Sequence, residues 1–283
     1  MVENSFFKLQ ESLFLICMEA KIISSVQNPL VKKLLQLKEK SRERRKTGLF
    51  VLEGQRELEL AQKGGYTFDV LLYCPEILPQ QDFNPISKNF NAEIIQVSKQ
   101  VYEKVAYRET TEGILAIVKG KNHALENIRF TTENPLVLVA EAPEKPGNVG
   151  ALLRTADAAA VDAVLIANPK SDLYNPNIIR SSVGCVFTNQ IGMGSSDEII
   201  GFLKQHQIKI NCAALTASKN YTECDFKGAT AIVVGTESVG LTEDWLQNSD
   251  QNLIIPMQGE IDSMNVSVSA AILIFEAKRQ RGF

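Results

Sequence analysis

A chain of 283 residues, 45% hydrophobic and 22% charged, is long enough for two globular domains with separate cores. The formal net charge of -3 gives no overall attraction to nucleic acid or to anionic membranes, so a partner of either kind must be met by local charge. No apolar run reaches the roughly 18 residues a bilayer span needs, and five cysteines without a C-x-x-C pair, beside only two histidines, offer no ligand set for structural zinc. The expectation is a cytoplasmic protein with reduced thiols, no metal and no membrane contact.

Residues 1–20 contain a brief apolar patch, Leu13 to Cys17, but Glu3 stands where a signal peptide needs positive charge and no A-x-A site follows. They are read as an N-terminal extension without assigned function. From Lys21 to Arg56 basic residues outweigh acidic ones, which number only Glu39, Glu43 and Glu53. Val31, Leu34, Leu35 and Leu37 mark a helix with one apolar side, and the basic residues run past it into a loop before Gly48. Lys32, Lys33, Arg42, Arg44, Arg45 and Lys46 are therefore candidate phosphate contacts, although a charge run also serves simply as a solvated face. Further on, strands are expected at Phe50 to Glu53, Val70 to Tyr73, Ile94 to Val97 and Gly113 to Val118. A helix at Arg56 to Gln62 closes on Gly64-Gly65, and Ser98 caps another through Val105. Residues 21–119 thus form a small α/β unit, and the polar stretch 120–133 reads as a linker.

In the second half, 134–283, Leu136 to Ala140 is an uninterrupted apolar strand of the kind a parallel sheet buries on both faces. Pro146-Gly147 turns the chain, Asn148 caps, and Gly150 to Val161 is helical, with Arg154 leaning back over the preceding loop where a phosphate or ribose could sit. Strands follow at Ala163 to Ala167, Phe187 to Gly192, Lys209 to Leu215, Ala231 to Val234 and Leu253 to Ile255, with a helix at Ser196 to Gln205. After a loop, Asp262 or Ser263 caps a last helix running from Met264 to Ala277. Its apolar residues cover nearly every side, which calls for a largely buried helix. Alternating strands and helices imply a doubly wound parallel sheet, whose ligands sit beyond the carboxyl ends of the strands. The loops 141–149, 235–241 and 256–263 converge there if they share an edge. Neither a G-x-G-x-x-G fingerprint nor a P-loop lysine is present, which disfavours a nucleotide-dependent oxidoreductase.

Three segments, PGNVGALLRTADAA, VVGTESVGL and IPMQGEIDSMNVSVSAAI, resemble the three motifs of the SpoU/TrmH family of RNA ribose 2′-O-methyltransferases, and DLYNPNIIRSSVG is similar to the region between them. The first half, from ISSVQNPLVKKLLQLKEK to EGQREL, is similar to the family's small RNA-binding domain of ribosomal-protein L30e type. The resemblance implies an α/β SPOUT fold with a carboxyl-terminal trefoil knot, preceded by the L30e-like domain. It also implies S-adenosyl-L-methionine held in the knot, an rRNA or tRNA substrate, and a homodimer that completes the site. By the same resemblance Arg154, Asn148, Glu237 and Asn265 are catalytic, while Leu215, Gly235, Ile255, Met257, Ser263 and Met264 line the cofactor. Departures occur at Met264, Thr236 and Glu144-Lys145, each leaving the polar anchors in place. The family proposal casts the arginine as a base, whereas a guanidinium pKa above ~12 favours phosphate binding and stabilisation of a developing alkoxide. The competing class is a non-catalytic RNA-binding protein whose second half has lost its cofactor.

Overall fold

The computed structural model describes residues 21–107, 112–215, 218–236, 240–260 and 263–283, and these separate into two compact units. One comprises residues up to Glu43, Leu49–Gln55 and Thr67–Lys119; the other takes Arg44–Gly48, Arg56–Tyr66 and Gly120–Phe283. The 1–20 extension lies outside the described residues.

The first unit is built on a five-stranded mixed sheet of β1 (Lys21–Ile23), β2 (Leu49–Glu53), β3 (Thr67–Tyr73), β4 (Glu93–Val97) and β5 (Ile114–Lys119), in the order β1-β4-β3-β5-β2. β1, β4 and β3 are parallel, and β5 runs antiparallel to both β3 and β2. Helix α1 (Pro29–Glu39) starts where Asn28 accepts the Leu30 amide and Pro29 takes the first helical position, where its missing N–H is not needed. Its buried stripe of Val31, Leu34 and Leu37 packs into a core with Leu72, Ile95 and Ile117. The basic residues beyond it are not in a loop: Ser41–Thr47 is a second helix, α2, and Gly48 at φ +66 ends it. Helix α3 (Gln55–Lys63) falls almost wholly in the second unit, while α4 (Gln80–Ser87) and α5 (Lys99–Val105) complete the first, α5 capped by Ser98 as expected.

The second unit carries a seven-stranded, wholly parallel sheet of β6 (Leu136–Glu141), β7 (Ala163–Ala167), β8 (Ile191–Gly194), β9 (Lys209–Ala213), β10 (Lys219–Asn220), β11 (Thr230–Val234) and β12 (Gln251–Ile254). Their order is β10-β12-β9-β11-β6-β7-β8. β6, β7 and β11 are buried at every position, the mark of strands covered on both faces. Helices α6 (Pro146–Ala158), α7 (Pro176–Ser181), α8 (Ser196–Gln205), α9 (Glu243–Gln247) and α10 (Val266–Arg281) cover them. The stretch read as a linker is packed instead: Ile128 is buried in the core of this unit, and the His123 backbone carbonyl accepts the Met193 amide along the outer edge of β8.

Helix starts and one strand differ from expectation. α6 begins at Pro146 with Lys145 as its cap, so Asn148 lies inside the first turn. Asn265, not Asp262 or Ser263, caps α10, because its Oδ1 takes both the amide and the hydroxyl of Ser267. α10 buries only Ala270, Leu273, Ile274 and Ala277, leaving Val268 and Phe275 exposed, so the expected burial on all sides does not hold within one chain. The segment read as a strand from Phe187 begins as a 3₁₀ turn, Cys185–Phe187, and extends only from Ile191.

Candidate active site

Register fixes where the loops leave the sheet. Leu253 pairs Ala213, Val233 pairs Cys212 and Val234 pairs Ala140, so Leu215, Gly235 and Ile255 emerge at nearly one level beyond the same edge. The segment after β6 emerges beside them and leads into α6, whose first turn carries Asn148. One hydrogen bond joins the first and last of these loops: Asn265 Nδ2 donates to Asn148 Oδ1 at 3.1 Å, across 117 residues of sequence. Because Asn265 Oδ1 is committed to capping α10, its amide nitrogen must face Asn148, and Asn148 must answer with its oxygen. That leaves Asn148 Nδ2 buried with no partner. A buried donor without an acceptor costs roughly 1–3 kcal/mol, so this nitrogen is primed for an acceptor on a ligand.

The middle loop is held closed at its mouth. Thr236 and Gly240 exchange backbone hydrogen bonds of 3.3 and 3.2 Å. Gly235 permits this, since a Cβ there would stand 2.4 Å from the Gly240 carbonyl carbon. Glu237 lies outside the described residues. Ser263 is exposed and Met264 half-buried at the approach to Asn265. Ile255 and Met257 are half-buried, and among the described residues the Met257 amide finds no partner in the chain. Leu215, 61% exposed, contributes an open apolar surface at the end of β9. An orphaned amide donor, unpaired backbone and small apolar walls suit the carboxylate, ribose and base of S-adenosyl-L-methionine. The residues present therefore fit that group.

Arg154 is exposed on α6, six residues past Asn148, which places it about 120° around the helix and about 9 Å along it. Within one chain the guanidinium and the Asn148–Asn265 pair therefore look in different directions. Nearby, burial, reinforced by Asp157, pushes the Cys185 thiol up to about 11, so it is an inert core group rather than a nucleophile. Of the basic residues proposed to meet RNA, Lys32, Arg42, Arg45 and Lys46 are exposed and Lys33 half-exposed. Arg44 is a correction: its guanidinium is buried in an ion pair with Asp172 and is not presented to a phosphate.

The sequence reading did not find Glu141. It closes the apolar strand LVLVAE, yet it is buried and accepts the Thr242 amide at 2.9 Å, the Thr242 hydroxyl at 2.7 Å and the Ser196 hydroxyl at 3.2 Å. An acidic residue ending an otherwise apolar buried strand was the available signal.

Residues 135–275 match the SpoU rRNA Methylase family, and residues 28–116 match the MRM3-like substrate binding domain. The 23S rRNA (guanosine(2553)-2′-O)-methyltransferase RlmP of Bacillus subtilis is 30% identical over 259 residues, covering 91% of this chain and 99% of that protein. A crystal structure of an RNA 2′-O ribose methyltransferase superposes with a TM-score of 0.79 at 37% identity, over 93% of this chain and 100% of that one. The SpoU methyltransferase AviRb from Streptomyces viridochromogenes, solved with AdoMet, shares the fold with a TM-score of 0.83 at 24% identity, over 90% of this chain and 98% of that one. A matched family domain, a relative similar along nearly its whole length and a shared two-part α/β architecture place this chain in the SpoU rRNA methylase family.

Proposed function

We propose that the edge beyond β6, β9, β11 and β12 is the methyl-transfer site, with Asn148, Arg154, Glu237 and Asn265 near the reacting groups. Leu215, Gly235, Ile255, Met257, Ser263 and Met264 surround the cofactor in this reading. As a SpoU-family member the chain is an S-adenosyl-L-methionine-dependent RNA ribose 2′-O-methyltransferase. The single observation that carries the site assignment is the Asn265–Asn148 hydrogen bond, which ties two motifs far apart in sequence into one wall.

The bound cofactor supplies a methyl group activated on a sulfonium. Asn148 Nδ2 gives the wall an unsatisfied buried amide donor and so orients a ligand acceptor. A guanidinium offers donors and no acceptor, so the part of Arg154 is to bind the phosphate flanking the target nucleotide and to stabilise charge developing on the 2′ oxygen. The 2′ proton leaves by another group or by water. Substrate RNA, in this proposal ribosomal and of the 23S class, meets Lys32, Lys33, Arg42, Arg45 and Lys46.

A second copy completes the site. Val268 and Phe275, seven residues apart on α10 and both exposed, form an apolar stripe that a copy of this chain would cover. Pairing there would also let Arg154 of one copy approach the Asn148–Asn265 wall of the other. The trefoil knot of the carboxyl-terminal segment belongs to the same proposal. The test is incubation of the purified chain with 23S rRNA, 16S rRNA and tRNA and methyl-labelled cofactor, followed by mapping of 2′-O-methyl positions. Incorporation at one ribose of 23S rRNA is expected. Cofactor binding without transfer to any RNA would refute the catalytic assignment.

A further inference from the structure

We infer that Glu141 is a positioning residue for the cofactor: it holds the described stems of the loop after β11, Gly235-Thr236 and Gly240-Leu241, by pinning the second stem to the strand that already holds the first. The inference rests on the functional reading above. β11 enters the loop from a ladder in which Val234 pairs Ala140. Glu141, the next residue of β6, reaches the residue at which the loop ends: its Oε2 accepts the Thr242 amide at 2.9 Å, and its Oε1 accepts the Thr242 hydroxyl at 2.7 Å. Adjacent residues of one buried strand thus clamp both stems of a loop whose mouth is closed by the Thr236–Gly240 bridge.

The donor accounting requires a carboxylate. Ser196 Oγ takes the Trp245 indole N–H at 2.9 Å and the Asn168 amide at 2.9 Å, which uses its acceptor capacity. Its own proton therefore goes to Glu141 Oε1, 3.2 Å away. The Thr242 amide and the Ser196 hydroxyl can only donate here, so a carboxamide, even with its N–H given to the Thr242 hydroxyl, would set that N–H against one of them. Trp245 and Ser196 are themselves buried, so the clamp is braced by α8 and by α9, the short helix that follows the loop. A fully satisfied buried network of this kind has one low-energy arrangement and transmits it to what it holds.

The test compares the full-length wild-type chain with Glu141→Gln, Thr242→Val and Thr242→Ser. Thr242 is exposed, so its variants fold even where Glu141→Gln does not. Three experiments are made: amide exchange at residues 240–245 without ligand, calorimetry for the Kd of S-adenosyl-L-methionine, and steady-state kinetics for the cofactor KM against kcat and the RNA KM. Expected are faster exchange and an at least tenfold rise in Kd and cofactor KM for Glu141→Gln, and a threefold or larger rise for Thr242→Val. Thr242→Ser, which keeps the hydroxyl, should return to wild type, with kcat and the RNA KM held throughout. Cofactor affinity within twofold of wild type in both Glu141→Gln and Thr242→Val would overturn the inference, as would a loss of affinity equal for cofactor and RNA. If the wild-type chain bound no S-adenosyl-L-methionine, the functional reading would fall and this inference with it; wild-type binding with unaffected variants would sink the inference alone.

Discussion

Gly150 offers a test in which two ordinary rules point in opposite directions. In a helix interior, replacing glycine by alanine normally stabilises by roughly 1 kcal/mol, because the backbone loses less freedom on folding. Gly150 lies within α6, so helix propensity alone forecasts a gain. The structure forecasts the reverse. A Cβ at this position would stand 1.9 Å from the Ser181 hydroxyl, 2.7 Å from Ser181 Cβ and 2.7 Å from the Ser182 backbone nitrogen. A rotamer change can move the hydroxyl, but the backbone of α7 can yield only if the helices separate, by about 0.7 Å to reach ordinary contact. Overpacking of this kind costs about 1–3 kcal/mol, so the net change is a loss of up to about 2 kcal/mol. The functional effect is larger, because α6 carries both Asn148 and Arg154, and a misplacement near 1 Å can cost on the order of 100-fold in rate. Urea unfolding and methyl transfer at saturating cofactor are the assays. Gly150→Ala should unfold at lower urea and lose at least tenfold in rate, and adding Ser181→Ala should recover only part, because the Ser182 nitrogen remains. A Gly150→Ala chain more stable than wild type and fully active would refute the reasoning.

Other expectations follow from the same structure. Arg154→Ala should abolish methyl transfer while leaving the Kd for S-adenosyl-L-methionine within threefold, and the wild-type pH–rate profile should show no limb attributable to arginine; calorimetry and kinetics check both. Asp172→Ala should destabilise by roughly 1–3 kcal/mol in denaturant melts, since it removes the carboxylate that pairs with the buried Arg44 guanidinium. Burial, with Lys121 adding to it, holds His123 below the usual histidine range, so the folded state favours the neutral ring. The sign follows: this contribution to stability is present above the unfolded value of about 6.5 and is lost as pH falls through the lower folded value. Thermal melts from pH 8 to 5 should therefore drop less steeply in His123→Gln than in wild type.

The sequence displayed the second sheet well because parallel strands buried on both faces leave uninterrupted apolar runs, and Leu136 to Ala140, Ala163 to Ala167 and Ala231 to Val234 each fall within a strand. Helix termini were harder. Asn148 and Asn265 both have cap chemistry, yet only Asn265 caps; the first turn of α6 is set by Pro146, and what Asn148 does depends on a residue 117 positions away. Local pattern carries no information about such a contact. Arg44 shows the same limit for charge: among its basic neighbours it looks like a phosphate ligand, and only the fold reveals that Asp172 neutralises it. Glu141 was obscured because a single acidic residue at a strand end carries no mark of the Thr242 and Ser196 donors it meets. The exposed stripe on α10 is a different case. Its apolar residues were plain in the sequence, but burial was assigned to this chain when Val268 and Phe275 face outward.

Backbone hydrogen exchange of the wild-type chain, followed with and without S-adenosyl-L-methionine, reports whether three turns distant in sequence close on one molecule of donor. Slowed exchange is expected together at residues 146–150, 235–241 and 255–265. Protection confined to a single one of these stretches, or found elsewhere on the chain, would contradict a shared pocket at this sheet edge.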